Sequence, residues 1–185
     1  MVKRIWWCFV HFIFILYAHD WIIMHHLLQG AGKTTQCPQF LLEQGLEEGL
    51  GDKTSIICTQ PRRISALSVA ERVAEEMDEN IGDHVGYQIR MEARRSKNTR
   101  LMFCTTGVIL RRLQDDPNLT GVSCVCVDEC HERQWQIDFL LIALRKLIQT
   151  TRKDLKIVLV RTSCFLRLLW HPVSFLTVNS LQLYK

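Results

Sequence analysis

The sequence lacks a surplus of charge of either sign over most of its length. Its 23 basic residues exceed its 19 acidic residues by four. The two ends, residues 1–29 and 160–185, hold five of the basic residues and one of the acids, so residues 30–159 carry 18 of each. Net charge therefore indicates no general polyanion-binding surface. The chain also lacks internal repeats and low-complexity linkers, and its 185 residues suit one domain better than two.

No apolar run reaches the roughly 20 residues that a membrane-spanning helix needs. The longest, from Ile5 to Ala18, is interrupted by His11. Lys3 and Arg4 precede it in the outline of a signal peptide, but no convincing small-residue cleavage site follows. A membrane-anchored or secreted protein is one interpretation of this segment, and sequence that does not belong to the fold is the other.

A common zinc-ligand spacing is absent from the eight cysteines, whose number alone might suggest disulfides. Cys58, Cys104, Cys124 and Cys126 lie in apolar, strand-like runs, where a cysteine usually packs as a small hydrophobe. We therefore expect reduced thiols. The C-x-C-x-x-x-C-H segment that begins at Cys124 leaves a metal cluster as an alternative, although its spacing matches no common zinc pattern.

What the sequence does contain is an alternation of strand-like and helix-like segments between residues 30 and 159. Val122 to Val127 and Leu155 to Val160 are continuous apolar runs, which are typical of buried parallel strands. Ser65 to Met77 and Ile137 to Ile148 have apolar residues at helical spacing. This alternation predicts a three-layer α/β fold with a parallel sheet covered on both faces. In such a sheet, ligands bind beyond the carboxyl ends of the strands.

A glycine-rich segment, GAGKTT, resembles the second half of a phosphate-binding loop. Its candidate nucleotide-binding residues are Gly30, Ala31, Gly32, Lys33, Thr34 and Thr35. Backbone N–H groups at the start of a helix would face phosphate oxygens, Lys33 would reach the β and γ phosphates, and the Thr34 hydroxyl would bind Mg²⁺. The loop pattern requires glycine where this chain has Leu27, so a glycine-rich turn before a helix is the alternative interpretation.

An Asp-Glu pair directly follows the apolar run VSCVCV. Asp128 would hold Mg²⁺ through water, and Glu129 would orient or deprotonate the attacking water. Such a pair is usually a solvated strand end. The GKT segment ahead of it and His131 behind it favour the catalytic interpretation.

Several segments in the same order resemble the DEAH/DExH-box RNA helicases. DECHER at 128–133 is similar to the family signature D-E-x-H-E-R, TQPRRISA at 59–66 to its motif Ia, and TTGVILRRL at 105–113 to its motif Ib. GYQIR at 86–90 is similar to a further family segment. The resemblance covers residues 30–159 and implies the first RecA-like, P-loop domain of an ATP-dependent RNA helicase. It implies ATP and Mg²⁺ as cofactors and RNA as a partner. Because an RNA motor has no evident task outside the cell, it also favours a cytoplasmic or nuclear protein without stable membrane association.

The resemblance also gives roles to matched positions. It implies that Arg62 and Arg63 contact RNA phosphates, together with Thr105, Thr106 and Gly107. Contacts of this kind position the nucleic acid and carry no base information. An arginine pair at a helix start that makes surface ion pairs is the ordinary alternative.

Two further roles follow from the same alignment. Arg72 matches the family arginine that stacks on adenine, although a mid-helix arginine is commonly just solvated. His131, grouped with Asp128 and Glu129 as a catalytic residue, would link the ATP site to the partner domain. That partner, a second RecA-like domain, is expected by family and not found in this sequence.

The family pattern stops abruptly on both sides of the matched region. Leu27, Leu28 and Gln29 replace the family's G-E-T, nothing upstream resembles the strand that should deliver the loop, and the S-A-T after KIVLV is missing. We therefore expect a sheet that is incomplete at its N-terminal strand. Residues 1–29 (signal-like or read-through) and 160–185 would flank the domain, which would be the ATP-binding half of a helicase. The alternative is a catalytically weak nucleotide- and RNA-binding module that competes with a full-length helicase.

Overall fold

The computed structural model of the chain describes residues 13–18, 21–26, 32–47, 49 and 51–161. Within these residues, eight strands form one sheet and four α-helices pack around it. The strands are β1 (Ile13–Ala18), β2 (Trp21–His26), β3 (Ile56–Gln60), β4 (Val85–Ile89), β5 (Glu92–Arg94), β6 (Leu101–Thr105), β7 (Cys124–Val127) and β8 (Lys156–Arg161). The helices are α1 (Lys33–Glu47), α2 (Arg63–Glu76), α3 (Thr106–Asp115) and α4 (Trp135–Thr150).

The sheet is mostly parallel, with the order β1-β2-β8-β7-β3-β6-β4-β5. Antiparallel pairing is limited to β1 with β2 and β4 with β5, at the two edges. Parallel neighbours need crossover connections, and helices supply most of them here. The short β5 went unpredicted because its three residues are all exposed and two are charged, which is characteristic of a protected edge strand.

Side chains from alternate strand positions build two cores on opposite faces of the sheet. On β3, Ile56 and Cys58 pack on the face covered by α1 and α2, together with Val73 of α2. Ile57 points to the other face and packs in the core that contains Leu140 of α4. All four residues of β7 are buried, which explains the unbroken apolar run in the sequence. The predicted three-layer α/β architecture is confirmed.

In one respect the sheet is more complete than we expected. Strand β2 lies upstream of the glycine-rich segment and pairs in parallel with β8 over residues Trp21 to His25. It therefore lies where a strand that leads into the loop belongs, although its sequence does not resemble the family's. Aromatic and β-branched residues in WIIMHH favour an extended conformation whatever the family pattern.

The apolar segment at residues 5–18 is described only in part. Residues 13–18 form β1, and residues 5–12 lie outside the described residues, as do residues 162–185. Among the residues that the structure describes, no helix combines the length and apolar character needed to cross a membrane.

Packing of α1 against the loop before β3 can be tested at Gly45. A Cβ added to Gly45 would clash with Oγ1 of Thr54 and lie 2.8 Å from Cγ2 of the same residue, whose side chain is buried. Alanine normally stabilises a helix interior relative to glycine. Here we expect Gly45→Ala to lower the free energy of unfolding by about 1–3 kcal/mol, because the added methyl group would overpack the contact with Thr54.

Gly107→Ala is the matched control, since a Cβ at Gly107 would meet no atom within 4 Å. We expect no loss of stability from that substitution. Urea denaturation followed by circular dichroism measures both changes. A Gly45→Ala protein as stable as the wild type would contradict the described packing of α1.

Candidate functional site

Strand register places three polar residues side by side at the carboxyl edge of the sheet. Gln60 ends β3 and pairs with Thr105, which ends β6. On the other side of β3, Thr59 pairs with Val127 of β7. Gln60 follows Thr59 and Asp128 follows Val127, so these two residues also lie side by side. Neighbouring strands lie about 4.8 Å apart, so this polar row of Thr105, Gln60 and Asp128 spans roughly 10 Å.

Asp128 is held in one orientation inside the protein. The residue is only 1% exposed. Its Oδ2 accepts a hydrogen bond from Gln60 Nε2 at 2.8 Å, and its Oδ1 accepts one from the backbone N–H of Glu129 at 2.8 Å. Its own backbone N–H donates to the Thr59 carbonyl at 3.2 Å. A carboxylate with a donor on each oxygen has little freedom to rotate.

The DECHER loop, residues 128–133, turns sharply after β7. Glu129 has a φ of 51° and Arg133 has a φ of 50°. Both values lie in the left-handed region, which residues other than glycine seldom adopt and which is often found at functional sites. The 3₁₀ turn Cys130–Glu132, which contains His131, lies between them. The backbone of the loop therefore folds back beside the end of β7 and keeps Glu129 next to Asp128.

The start of α1 has the geometry of a tight glycine turn. Gly32 has a φ of 70°, and its carbonyl accepts hydrogen bonds from the N–H of Thr35 at 3.2 Å and of Gln36 at 2.7 Å. The Thr35 hydroxyl donates to the same carbonyl at 3.1 Å. A Cβ on Gly32 would be strained by this φ and would approach Gln36 Cγ to 3.1 Å. Helix α1 begins at the next residue, Lys33, which is 8% exposed.

Helix α1 and strand β7 bring the two halves of the site to the same edge. Cys37 of α1 contacts the thiol of Cys126 on β7. Lys33 precedes Cys37 by four helical residues, a rise of about 6 Å. Asp128 follows Cys126 by two residues, a rise of about 6.6 Å along a strand. Lys33 and Thr34, at the start of α1, therefore lie toward the same edge of the sheet as Asp128.

A second group of predicted residues begins the helices that follow β3 and β6. Arg62 is the N-cap residue of α2 and Arg63 is its first residue. The Arg62 side chain is 73% exposed, and its Nη2 lies 3.6 Å from Glu132 Oε1 of the DECHER loop. The N-terminal end of a helix carries partial positive charge, which adds to that of the two arginines. This edge is therefore favourable for phosphate groups.

Thr105 is the N-cap residue of α3, and Thr106 and Gly107 form its first turn. Thr106 is buried, and its hydroxyl has no hydrogen-bond partner in the described part of the chain. Gly107 is exposed, with open space where a side chain would be. The predicted RNA-contacting residues thus lie at two adjacent strand ends, one of which bears Gln60.

Comparison with known proteins agrees with this arrangement. The chain is 60% identical over 131 residues to DExH-box ATP-dependent RNA helicase DExH1 of Arabidopsis thaliana, which is 71% of this chain and 13% of that relative. It is 53% identical over 137 residues to ATP-dependent RNA helicase DHX29 of Mus musculus, which is 71% of this chain and 10% of the relative.

The human protein named "Putative ATP-dependent RNA helicase DHX57" (Homo sapiens) is 50% identical over 146 residues, covering 79% of this chain and 10% of the relative. Over these residues the chain is homologous to DExH-box helicases. It spans between 10% and 13% of the length of these relatives. No family model matches the chain.

The described residues of this candidate site fit a magnesium-bound nucleotide. Mg²⁺ prefers oxygen ligands and is usually held by one or two protein groups, with substrate phosphates and water completing its shell. The Thr34 hydroxyl and the buried Asp128 carboxylate are donors of this kind. The positive φ of Gly32 lets the chain turn tightly at the start of α1. Gly30, Ala31 and Leu27 lie outside the described residues.

Arg72 lies away from this edge of the sheet. It is nine residues beyond the start of α2, which is about 14 Å along the helix axis. Its Nε donates to Glu76 Oε1 at 2.8 Å, and Glu76 also accepts a hydrogen bond from Gln39 of α1 at 2.7 Å. The hydrogen bond from Arg72 lowers the pKa of Glu76. Stacking of Arg72 on adenine stays a prediction.

The alternative of a metal cluster around Cys124 is not supported. Cys124 and Cys126 pack in the core on the α1 and α2 face, whereas Cys130 packs against the core on the other face. Among the described residues, no group of three or more His, Cys, Asp or Glu side chains could hold a metal ion. Hydrogen bonds with neighbouring thiols, Cys124 first, and burial raise the pKa of Cys126 well above its usual value. Burial raises the pKa of Cys104 to about 12.

Two residues at the carboxyl edge were not singled out from the sequence. Gln60 lies within the motif Ia resemblance but was given no role, and Glu132 lies unassigned in the DECHER loop. A buried polar residue at the end of an apolar strand was the available signal for Gln60. Its partner could not be found without the register between β3 and β7.

The environments of the cysteines predict their reactivity. Cys130 is half-buried, and the other described cysteines are buried: Cys37, Cys58, Cys104, Cys124 and Cys126. Because reaction needs an accessible thiolate, brief alkylation of the native protein should label Cys130 well before these five. Mass spectrometry of the digested protein measures each site, and denatured protein is the control in which all six react. Native labelling of Cys126 as fast as Cys130 would contradict the described core.

Proposed function

We propose that this chain supplies the ATP-binding half of an ATP-dependent RNA helicase, in which nucleotide hydrolysis drives unwinding or remodelling of RNA. The observation that carries the proposal is the polar row at the carboxyl edge of the sheet, with the start of α1 and the DECHER loop at the same edge. The relatives are named as ATP-dependent RNA helicases, which supports ATP and RNA as the substrates. RNA as a partner is consistent with a cytoplasmic or nuclear protein.

The nucleotide half of the proposal assigns one task to each side chain. Lys33 and the backbone N–H groups around Gly32 bind the phosphates. Thr34 and Asp128 hold Mg²⁺, which neutralises charge on the phosphate oxygens when it is bound. Glu129, half-buried beside Asp128, orients the attacking water or accepts its proton. His131, in the turn that follows, links this site to a second RecA-like domain.

The RNA half of the proposal uses the two helix starts. Arg62, Arg63 and the segment Thr105 to Gly107 contact the RNA backbone without reading its bases. The Arg62–Glu132 ion pair at 3.6 Å is largely exposed on the arginine side. Exposed ion pairs contribute little, typically below about 1 kcal/mol. An RNA phosphate can therefore replace Glu132 at Arg62 at a small cost in free energy.

A second candidate function is a nucleotide- and RNA-binding module that hydrolyses ATP weakly and competes with a full-length helicase. Leu27 favours it, because a side chain replaces the glycine that lets the loop backbone approach phosphate. An arginine finger from a partner domain is worth about 10³–10⁵ in rate, so we expect this chain alone to hydrolyse ATP slowly. Robust RNA-stimulated hydrolysis by the isolated chain would exclude the module.

Nucleotide binding is tested at Lys33. Lys33→Ala removes a charge-assisted hydrogen bond, worth about 1.5–3 kcal/mol, so we expect the Kd for Mg·ATP to rise roughly 10- to 100-fold. Lys146→Ala is the matched control, since Lys146 is exposed on α4. Titration of a fluorescent ATP analogue measures both variants. Equal affinity of Lys33→Ala and wild type would reject the proposed phosphate site.

RNA binding is tested with paired arginines. Removing one side chain that binds a phosphate of single-stranded RNA reduces the slope of log K against log salt by about 0.7. Replacing both Arg62 and Arg63 with glutamine should therefore weaken binding to single-stranded RNA and reduce the slope by about 1.4. The control replaces Arg94 and Arg95, an exposed consecutive pair at the far edge of the sheet, and makes the same charge change. Fluorescence anisotropy at several salt concentrations measures the slope, and an equal effect of both pairs would contradict the assignment.

A further inference from the structure

A buried amide–carboxylate contact joins two segments that the proposed function treats separately. Gln60 is 2% exposed and Asp128 is 1% exposed, and the hydrogen bond between them is 2.8 Å long. They are separated by 68 residues in sequence. Gln60 is followed after one proline by Arg62, a candidate RNA contact, while Asp128 is a candidate magnesium ligand.

Stability alone does not account for this contact. Burial of an amide and a carboxylate costs free energy that their mutual hydrogen bond only offsets. Apolar side chains of similar volume commonly stabilise such a position as well or better. The neighbouring positions Cys58 and Cys126, on the same face of the same two strands, are apolar. The polar pair therefore points to a task at the edge of the sheet.

The geometry of Asp128 indicates what that task is. A carboxylate has about four lone-pair positions, and the Gln60 amide and the Glu129 N–H occupy one position on each oxygen. The remaining positions are free to act as acceptors, in an orientation fixed by the two donors. The Glu129 donor lies on the strained backbone of the DECHER loop, whereas Gln60 belongs to the rigid central strand β3.

We propose that Gln60 is a positioning residue for the magnesium ligand Asp128: its amide fixes the rotation of the carboxylate and presents the free lone pairs to Mg²⁺ of the bound nucleotide. This inference rests on the proposed nucleotide function. Groups that orient a metal ligand typically change metal affinity 10- to 100-fold when they are removed. Loss of the Gln60 amide should therefore act on Mg²⁺ and leave the phosphate contacts of Lys33 in place.

The test uses Gln60→Leu in the full chain. Binding of a fluorescent ATP analogue is measured while Mg²⁺ is titrated, and separately with EDTA present. We expect the half-saturating Mg²⁺ concentration to rise about 10- to 100-fold, with the affinity for the metal-free analogue unchanged. A role limited to packing would instead weaken binding under both conditions and lower the melting temperature.

Two further variants make the result specific. Gln60→Asn keeps a polar amide on a shorter stem that no longer reaches Oδ2, so it should raise the Mg²⁺ requirement as Gln60→Leu does. Gln134→Leu is the matched control, because the Gln134 amide donates to Glu132 at 2.7 Å and does not touch Asp128. Its Mg²⁺ requirement should equal that of the wild type. Thermal unfolding of each variant shows whether it is folded.

The possible outcomes distinguish a failure of this inference from a failure of the proposed function on which it rests. A wild-type chain that binds no nucleotide with or without Mg²⁺ would overturn the proposed function and this inference together. Mg²⁺-dependent binding by the wild type that is unchanged in folded Gln60→Leu would overturn the inference alone. An equal rise of the Mg²⁺ requirement in Gln134→Leu and in Gln60→Leu would also overturn the inference alone. Failure of both Gln60 variants to fold would give Gln60 a structural role and reject the inference.

Discussion

Parallel pairing of β3 with β6 on one side and β7 on the other is the constraint on which the site depends. That pairing places Thr105, Gln60 and Asp128 in one row, although they come from three separate segments of the sequence. A shift of one residue in either pair would turn the end of one strand toward the opposite face. Specific side-chain packing opposes such a shift, with Ile56 and Cys58 in one core and Ile57 in the other.

The same edge concentrates donors for anions. Helices α1, α2 and α3 all begin there, and each contributes backbone N–H groups and the positive end of a helix dipole. The carboxylates at this edge are held by hydrogen bonds or an ion pair: Asp128 by Gln60, and Glu132 by Gln134 and Arg62. The edge can therefore accept phosphate groups and still keep a carboxylate oriented for a cation. Nucleotide and RNA phosphates are the ligands that such an arrangement suits.

Much of this arrangement was readable from the sequence because it is local. The apolar run of β7 followed by Asp128 predicted a strand end, and the helical spacing from Ile137 to Ile148 predicted a helix that lies within α4. Other features depend on contacts between distant segments. Identifying Asp128 as the partner of Gln60 required the register between β3 and β7. Measuring how far Arg72 lies from the N-terminal end of α2 required the bounds of that helix. Strand β2 was not predicted because its segment was judged by the family pattern, which it does not match. Its residues nevertheless favour an extended conformation.

Hydrogen–deuterium exchange with Mg²⁺ and a non-hydrolysable ATP analogue tests the central claim most directly. If the carboxyl edge of the sheet is the nucleotide site, the ligand should slow exchange at the start of α1, residues 32–37, and in the DECHER loop. Exchange in β5, at the far edge of the sheet, should stay unchanged. Slowed exchange at only one of the two segments, or none at either, would contradict a site shared between Lys33 and Asp128.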